Sequence, residues 1–342
     1  MPNLVILIVQ FAALAFSQEV GRIQKLSPEL SGIVPASAKI ERAVTDPAFK
    51  WTEGPVWIHS GYLLFAEIPS NSIRKWVPDR GLSVFMQPSG YKGSVTFSGP
   101  EPGSNGMTLD SRGRLTIAGH AQRDVWRLES LDARAKVTIL ADTYGDKRLN
   151  SPNDLVYSRN GSLYFTDPPY GLPTQGDHDP DKQLQINGVY RIRDASKQEP
   201  GAPPARRNLQ LLIKDLPRPN GIVFSPDQQH LYVNNSAPKK LWMCYDVNRD
   251  GSVTNGRLFY DATSDDSPGA PDGMKVDQKG NLYSAGPGGV WIFSKKGQHL
   301  GTIRLPETAA NLAWGDEDGK TLYITASSSI YRIRLIIPGI RP

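Results

Sequence analysis

The sequence predicts an all-β fold: six blades, each a four-stranded antiparallel sheet, set around a central channel as a six-bladed β-propeller. Three observations carry this. One phrase recurs six times: a polar residue, usually followed by Gly, then a short apolar strand, a polar turn and a second apolar strand. The copies start roughly 40 to 65 residues apart, a spacing that marks solenoids, propellers or arrays, with four strands per unit in the propeller form. Long amphipathic helical patterns are absent. The 32 Gly and 28 Pro punctuate a chain that is still 39% hydrophobic, so the turns belong to a packed β protein rather than to a disordered one.

The clearest copy is Ser151-Pro152-Asn153-Asp154-Leu155-Val156-Tyr157-Ser158-Arg159-Asn160-Gly161-Ser162-Leu163-Tyr164-Phe165-Thr166-Asp167. It reads as a Pro-Asn turn, an apolar strand, a hairpin turn at Asn160-Gly161, where both residues tolerate positive φ, and a second strand. The other copies begin at Glu53, Asn105, Asn220, Asp272 and Asn311. Val125-Trp126-Arg127-Leu128, Gly188-Val189-Tyr190-Arg191-Ile192 and Gly289-Val290-Trp291-Ile292-Phe293 each follow a copy and read as third strands. Ile40, Arg42 and Val44 alternate with Glu41 and Ala43 as an outer strand. Its expected partner is Ile330-Tyr331-Arg332-Ile333-Arg334-Leu335, so that one terminus completes the last blade and removes its open edge.

A chain of 342 residues admits two domains, but the copies run from 53 to 324 without a linker, so residues 18–342 read as one domain. Residues 3–16 are an apolar run of signal-peptide length, and Ala15-Phe16-Ser17 puts small residues where a signal peptidase reads. Residues 1–17 are therefore expected to be a cleaved signal, and the protein to be exported, periplasmic or secreted. The leader carries no Lys or Arg, which leaves an uncleaved anchor as the alternative, although the run is short for a spanning helix.

The net charge is +5, but Lys and Arg are scattered, mostly at hairpin tips, and form no basic run, so nucleic acid is not expected as a partner. Cys244, the one cysteine, lies in the strand-like Leu241-Trp242-Met243-Cys244-Tyr245 and reads as a small buried hydrophobe. The longest insertion, between Asp167 and Gly188, starts at the end of an inner strand and is expected to reach over one mouth of the ring. Its Asp177, His178, Asp179 and Asp181 look like metal ligands, but a solvated polar loop is the preferred reading. Nothing in the sequence specifies the oligomeric state.

In a propeller the start of each innermost strand faces the channel. Glu53, Asn105, Asn153, Asn220, Asp272 and Asn311 are therefore expected to converge on the axis. Two acids and four amides offer only oxygen donors, a set that suits Ca²⁺, or Mg²⁺ and Mn²⁺, better than Zn²⁺. Asn or Asp before Gly is also an ordinary turn residue. The constant offset, the carboxylates in Thr52-Glu53-Gly54-Pro55 and Pro271-Asp272-Gly273-Met274, and the poor turn propensity of Glu favour a site.

Glu53-Gly54-Pro55-Val56-Trp57, Ser151-Pro152-Asn153-Asp154-Leu155, Pro219-Asn220-Gly221-Ile222, Pro271-Asp272-Gly273-Met274 and Leu322-Tyr323-Ile324-Thr325 resemble the gluconolactonase / senescence marker protein 30 / luciferin-regenerating enzyme family. The resemblance covers roughly residues 48–335. It implies a six-bladed propeller with one divalent cation, commonly Ca²⁺, in the channel, and a lactone hydrolase acting on a small-molecule lactone. It also implies Glu53, Asn153, Asn220 and Asp272 as metal ligands, with Asp272 doubling as general base. Asn105, His120 and Asn311 would contact substrate. Ser151 stands where some animal members carry an Arg that contacts sugar hydroxyls. His120 only partly matches the bacterial pattern, since Ala121-Gln122-Arg123-Asp124 follows it.

A cation would polarise a lactone carbonyl, stabilise the oxyanion and lower the pKa of bound water, while a neighbouring carboxylate accepts the proton. No Gly-x-Ser-x-Gly motif is present, which disfavours a serine nucleophile. The alternatives are a non-catalytic ligand-binding propeller, or a related hydrolase of phosphotriesters or other esters.

Overall fold

The structure, a computed structural model, describes residues 20–204 and 208–342; the apolar run 3–16 and the expected cleavage after Ser17 lie outside them. Six antiparallel blades follow one another along the chain. Blade 1 is Thr52–Ile58, Tyr62–Glu67, Ser72–Val77 and Gly81–Met86. Blade 2 is Met107–Leu109, Leu115–Ala118, Val125–Leu128 and Val137–Ala141. Blade 3 is Leu155–Tyr157, Leu163–Asp167, Gly188–Ile192 and Leu209–Ile213. Blade 4 is Pro219–Phe224, His230–Asn235, Leu241–Val247 and Val253–Asp261. Blade 5 is Met274–Val276, Leu282–Gly286, Gly289–Phe293 and His299–Arg304. Blade 6 is Ala309–Gly315, Thr321–Ala326, Ser329–Arg334 and, outermost, Ile40–Thr45.

The ring closes as the alternation predicts. Ile40–Thr45 lies antiparallel to Ser329–Arg334, with Ile40 opposite Ile333 and Val44 opposite Ile330. Trp57 of blade 1 stacks on Tyr323 of blade 6 at 5.1 Å, sealing the seam between first and last blades. Burying a ring of that size contributes about 1.5–3 kcal/mol. The sequence reading did not anticipate a second outer strand, Arg22–Lys25, which adds a fifth strand to blade 5 beside His299–Arg304.

Packing explains the apolar runs. Each second strand lies between two neighbouring blades, so Leu163–Asp167, Leu282–Gly286 and Thr321–Ala326 are buried at every position rather than at alternate ones. Cys244 is buried among Trp242, Tyr232 and Phe293, as expected of a small hydrophobe. Not all of the basic residues sit at hairpin tips. Arg114 and Arg127 are buried, pair with Glu129 at 2.8 Å, and donate to the carbonyls of Ser196 and Ala195, tying blade 2 to blade 3.

Two local readings are corrected. At the 158–162 hairpin only Gly161 takes positive φ, at 84°; Asn160 instead accepts the Ser162 N–H and the Ser158 hydroxyl through its Oδ1. The Pro219-Asn220-Gly221 stretch is not a turn either, and nor is Glu53-Gly54-Pro55, whose Glu argued against one. Both lie inside strands, Pro219–Phe224 and Thr52–Ile58, each with an irregularity in register at the glycine. The glycines serve close approach. A Cβ on Gly54 would meet the Asn105 carbonyl oxygen at 2.1 Å, and one on Gly221 the Asp272 carbonyl oxygen at 2.3 Å. Gly106 stands in the same way against the Asn153 carbonyl oxygen at 2.6 Å, whereas a Cβ on Gly273 would meet the Asn311 side-chain amide. Adjacent inner strands thus touch backbone to backbone at the level of the polar residues.

Gly221→Ala should lower stability by about 1–3 kcal/mol through overpacking. Gly32→Ala, where nothing lies within 4 Å of the new Cβ, should change it little. Denaturant unfolding of the two variants checks this, and equal costs would refute the close-approach reading.

Candidate active site

The backbone contact just described fixes the ring of polar side chains. Gly106 N–H donates to the Asn153 carbonyl at 2.8 Å, Gly273 N–H to that of Ala310 at 2.8 Å, Thr166 Oγ1 to that of Asn220 at 2.7 Å, and Asn234 Nδ2 to that of Asp272 at 2.5 Å. Glu53, Asn105, Asn153, Asn220 and Asn311 are 1–5% exposed; Asp272 is half-buried. Glu53 Oε2 accepts from Gly54 N–H at 2.6 Å and from Asn311 Nδ2 at 3.0 Å. Asn220 Nδ2 donates to Ser236 Oγ at 3.1 Å. Asn311, expected to contact substrate, has its amide engaged by protein: besides Glu53, its Oδ1 accepts from Leu312 N–H at 2.8 Å.

A seventh polar group joins the ring. Asp154, 2% exposed, stands where four of the six copies have Gly, and its Oδ1 accepts from Leu155 N–H at 2.9 Å. Its Oδ2, Asn105 Oδ1 and Asn220 Oδ1 are buried oxygens with no hydrogen-bond partner. Buried polar atoms nearly always have one, so bare acceptors on three inner-strand residues need an explanation.

Electrostatics point the same way. Burial pushes the Glu53 carboxyl up to about 8, and the Asp154 carboxylate adds to the rise. Burial also lifts Asp272 well above the ordinary carboxylate range, helped by Glu53, Asp154 and Glu101. Asp154 is raised by burial and held down in part by the Lys275 ammonium. Three carboxyls driven toward neutrality, together with two bare amide oxygens, form a set that a hard divalent cation would satisfy. Among the described residues no group of three or more His, Cys, Asp and Glu could hold an ion by itself, so the donors here would be mixed carboxylates and amides.

The mouth above the ring is built from insertions. The 168–187 segment is tied at its root: Ser151 Oγ donates to the Pro168 carbonyl at 2.5 Å and accepts from Gly171 N–H at 2.8 Å, while Asp167 accepts the N–H groups of Asn150 and Ser151. It carries Tyr170, whose phenol is raised by burial and by the Asp272 and Glu101 carboxylates. His120 is fully buried, its Nε2 2.7 Å from Glu101 Oε2 and its Nδ1 3.3 Å from the Pro152 carbonyl. Sequence reasoning missed Glu101 and Tyr170 because they come from connections outside the repeat. The metal-like side chains of the loop are not gathered: Asp177 pairs with Arg218 at 2.7 Å, Asp179 accepts from Thr174 Oγ1 at 2.7 Å, and His178 is exposed.

Residues 51–328 match the family described as the SMP-30/Gluconolactonase/LRE-like region, and the chain belongs to that family. A gluconolactonase of Zymomonas mobilis is 38% identical over 325 residues, covering 92% of this chain and 86% of its own. The solved structure of a gluconolactonase from Xanthomonas campestris superposes with a TM-score of 0.76 at 30% identity, over 94% of this chain and 97% of that one. A luciferin-regenerating enzyme shares the fold, with a TM-score of 0.68 at 18% identity over 89% of this chain and 98% of its own.

A carboxyl whose pKa is raised by folding favours the native state most at low pH and loses that advantage as the pH climbs to its own pKa. With Glu53 at about 8 and Asp124 and Asp167 at about 7, the cation-free protein should melt at progressively lower temperature between about pH 5 and 8. Glu53→Gln should remove part of that slope, most visibly between pH 7 and 8; an unchanged slope in thermal melts would contradict the assignment.

Proposed function

We propose that this protein is a cation-dependent lactonase of the gluconolactonase type, which opens a sugar-type lactone by attack of water. The observation that carries the reading is the pair of carboxyls Glu53 and Asp272, both raised by burial and Asp272 further by Glu53, with the unpartnered buried Oδ1 of Asn220 on a neighbouring inner strand. Family membership and the Zymomonas mobilis gluconolactonase supply the reaction class.

Glu53, Asn153, Asn220 and Asp272 would hold the cation, with Ca²⁺ the first choice and Mn²⁺, Mg²⁺ or Zn²⁺ the alternatives. When bound it would draw the carboxyls back to their ionised form, lower the pKa of a water and polarise the lactone carbonyl. Asp272 is the half-buried acid of the ring, so substrate and water can reach it, and it takes the proton of the attacking water. Glu53, held by Gly54 N–H and Asn311 Nδ2, cannot swing away and acts as a fixed negative charge. Glu101 offers an acceptor for the lactone's hydroxyls from the wall of the mouth, and His120, fully buried with both ring nitrogens engaged by Glu101 and the Pro152 carbonyl, orients that carboxylate instead of touching substrate. Tyr170 and the 168–187 segment limit water above the ring. Export through the apolar leader is part of the same proposal.

Hydrolysis of glucono-1,5-lactone, followed with a pH indicator, should be lost in EDTA and restored by one added cation. Asp272→Asn should keep the fold and lower kcat by about 10²–10⁴, the range of a general base. Full turnover in EDTA, or in Asp272→Asn, would overturn the reading.

A further inference from the structure

Lys275 is the one charged residue at its level of the channel. Three positions on from the site residue, the first five copies carry Val56, Thr108, Val156, Val223 and Lys275, and these side chains line an apolar cavity of about 280 Å³ on the far side of the ring from the mouth. The cavity is walled by Trp57, Leu109 and Phe224 and closed by Ile340 of the C-terminal tail. Lys275 does not point its charge into that cavity. Its Nζ donates to the Met274 carbonyl at 2.9 Å and lies 3.4 Å from Asn311 Oδ1. Asn311 in turn donates to Glu53, so ammonium, amide and carboxylate form one chain across the channel. The same ammonium is the foremost charge opposing the rise of Asp154, and it also acts on Glu53.

We infer that Lys275 is a built-in cation of the channel: linked through the Asn311 amide to Glu53, it is the counter-ion of that carboxylate, and it thereby sets how tightly the ring above it binds a divalent ion. Burial of a carboxylate without an opposite charge is costly. A fixed ammonium reduces that cost in the cation-free protein. It also repels any second cation, so the protein gives up some affinity in exchange for staying folded without the ion. The affinity half of this inference rests on the cation reading above; the counter-ion half does not. Lys275 acts through Asn311 on Glu53, so it is a positioning residue.

The test uses the full chain, stripped with EDTA. Lys275→Met keeps the length and removes the charge; Lys275→Gln serves as a second variant should the first not fold. In a double-mutant cycle with Glu53→Gln, run above about pH 8 so that Glu53 is ionised, the loss of melting temperature caused by Lys275→Met should shrink by half or more once the carboxylate is gone. Strictly additive losses would show that Lys275 merely packs, and would overturn the counter-ion role. Calorimetric titration with Ca²⁺ should then show Lys275→Met binding on the order of tenfold more tightly than wild type, and Lys275→Arg binding like wild type. Equal or weaker binding by Lys275→Met would overturn the affinity role. If wild type binds neither Ca²⁺, Mn²⁺ nor Mg²⁺, the cation reading itself fails, and the cycle alone decides the place of Lys275.

Discussion

The close approach of neighbouring inner strands is the constraint on which the rest of this protein depends. Where Gly54 faces Asn105 and Gly221 faces Asp272, two backbones meet at a distance that excludes even a methyl group. That contact gives the ring its diameter. It brings six polar side chains, spread over most of the sequence, to one level of one channel. It also removes water from them, because backbone fills the space that solvent would need. Glycine at these positions is therefore a steric requirement of closure rather than a device for turning the chain.

The electrostatics follow from that geometry. Carboxyls in a dry channel lose most of the solvation that would keep them ionised, and each raises its neighbour further. The fold does not satisfy them fully from within. It supplies Asn311 and Gly54 to Glu53, Leu155 N–H to Asp154, and one ammonium from Lys275, yet leaves three acceptor oxygens bare. An arrangement that holds donors rigidly and unsatisfied is suited to an ion that needs several oxygens at once. The asymmetry of the ring matters too: Glu53 and Asp154 are locked and buried, whereas Asp272 faces the mouth where Tyr170, His120 and Glu101 gather.

Much of this is written in the chain. The repeated phrase shows the blades, the order of the strands and the ring of site residues, because a local pattern repeated at a fixed offset survives into the fold unchanged. Strand alternation at Ile40, Arg42 and Val44 is enough to place the closing strand. Other features are illegible for physical reasons. Glu101 and Tyr170 reach the mouth from connections that share no pattern with the repeat, so only the closed ring shows which side chains face it. Arg22–Lys25 pairs with a strand near the other end of the chain, and four residues of ordinary composition give no sign of it. Asp154 and Lys275 were visible as exceptions, an acid where four of the other copies have Gly and a base where four of the others have Val or Thr. Reading each copy for its departures from the others would have found both. Asn160 shows the opposite error, a turn propensity that the backbone did not need because Gly161 alone supplied the positive φ.

Locating a cation on the channel axis tests the account most directly. Crystals of the protein soaked in Mn²⁺ and measured near the manganese absorption edge should give one anomalous peak in each molecule. It should lie among Glu53, Asn153, Asn220 and Asp272, within ordinary metal–oxygen distance of them. A peak only at the Asp177–Asp181 loop, or none on the axis despite saturating Mn²⁺, would contradict the claim that the ring of inner-strand residues is a cation site.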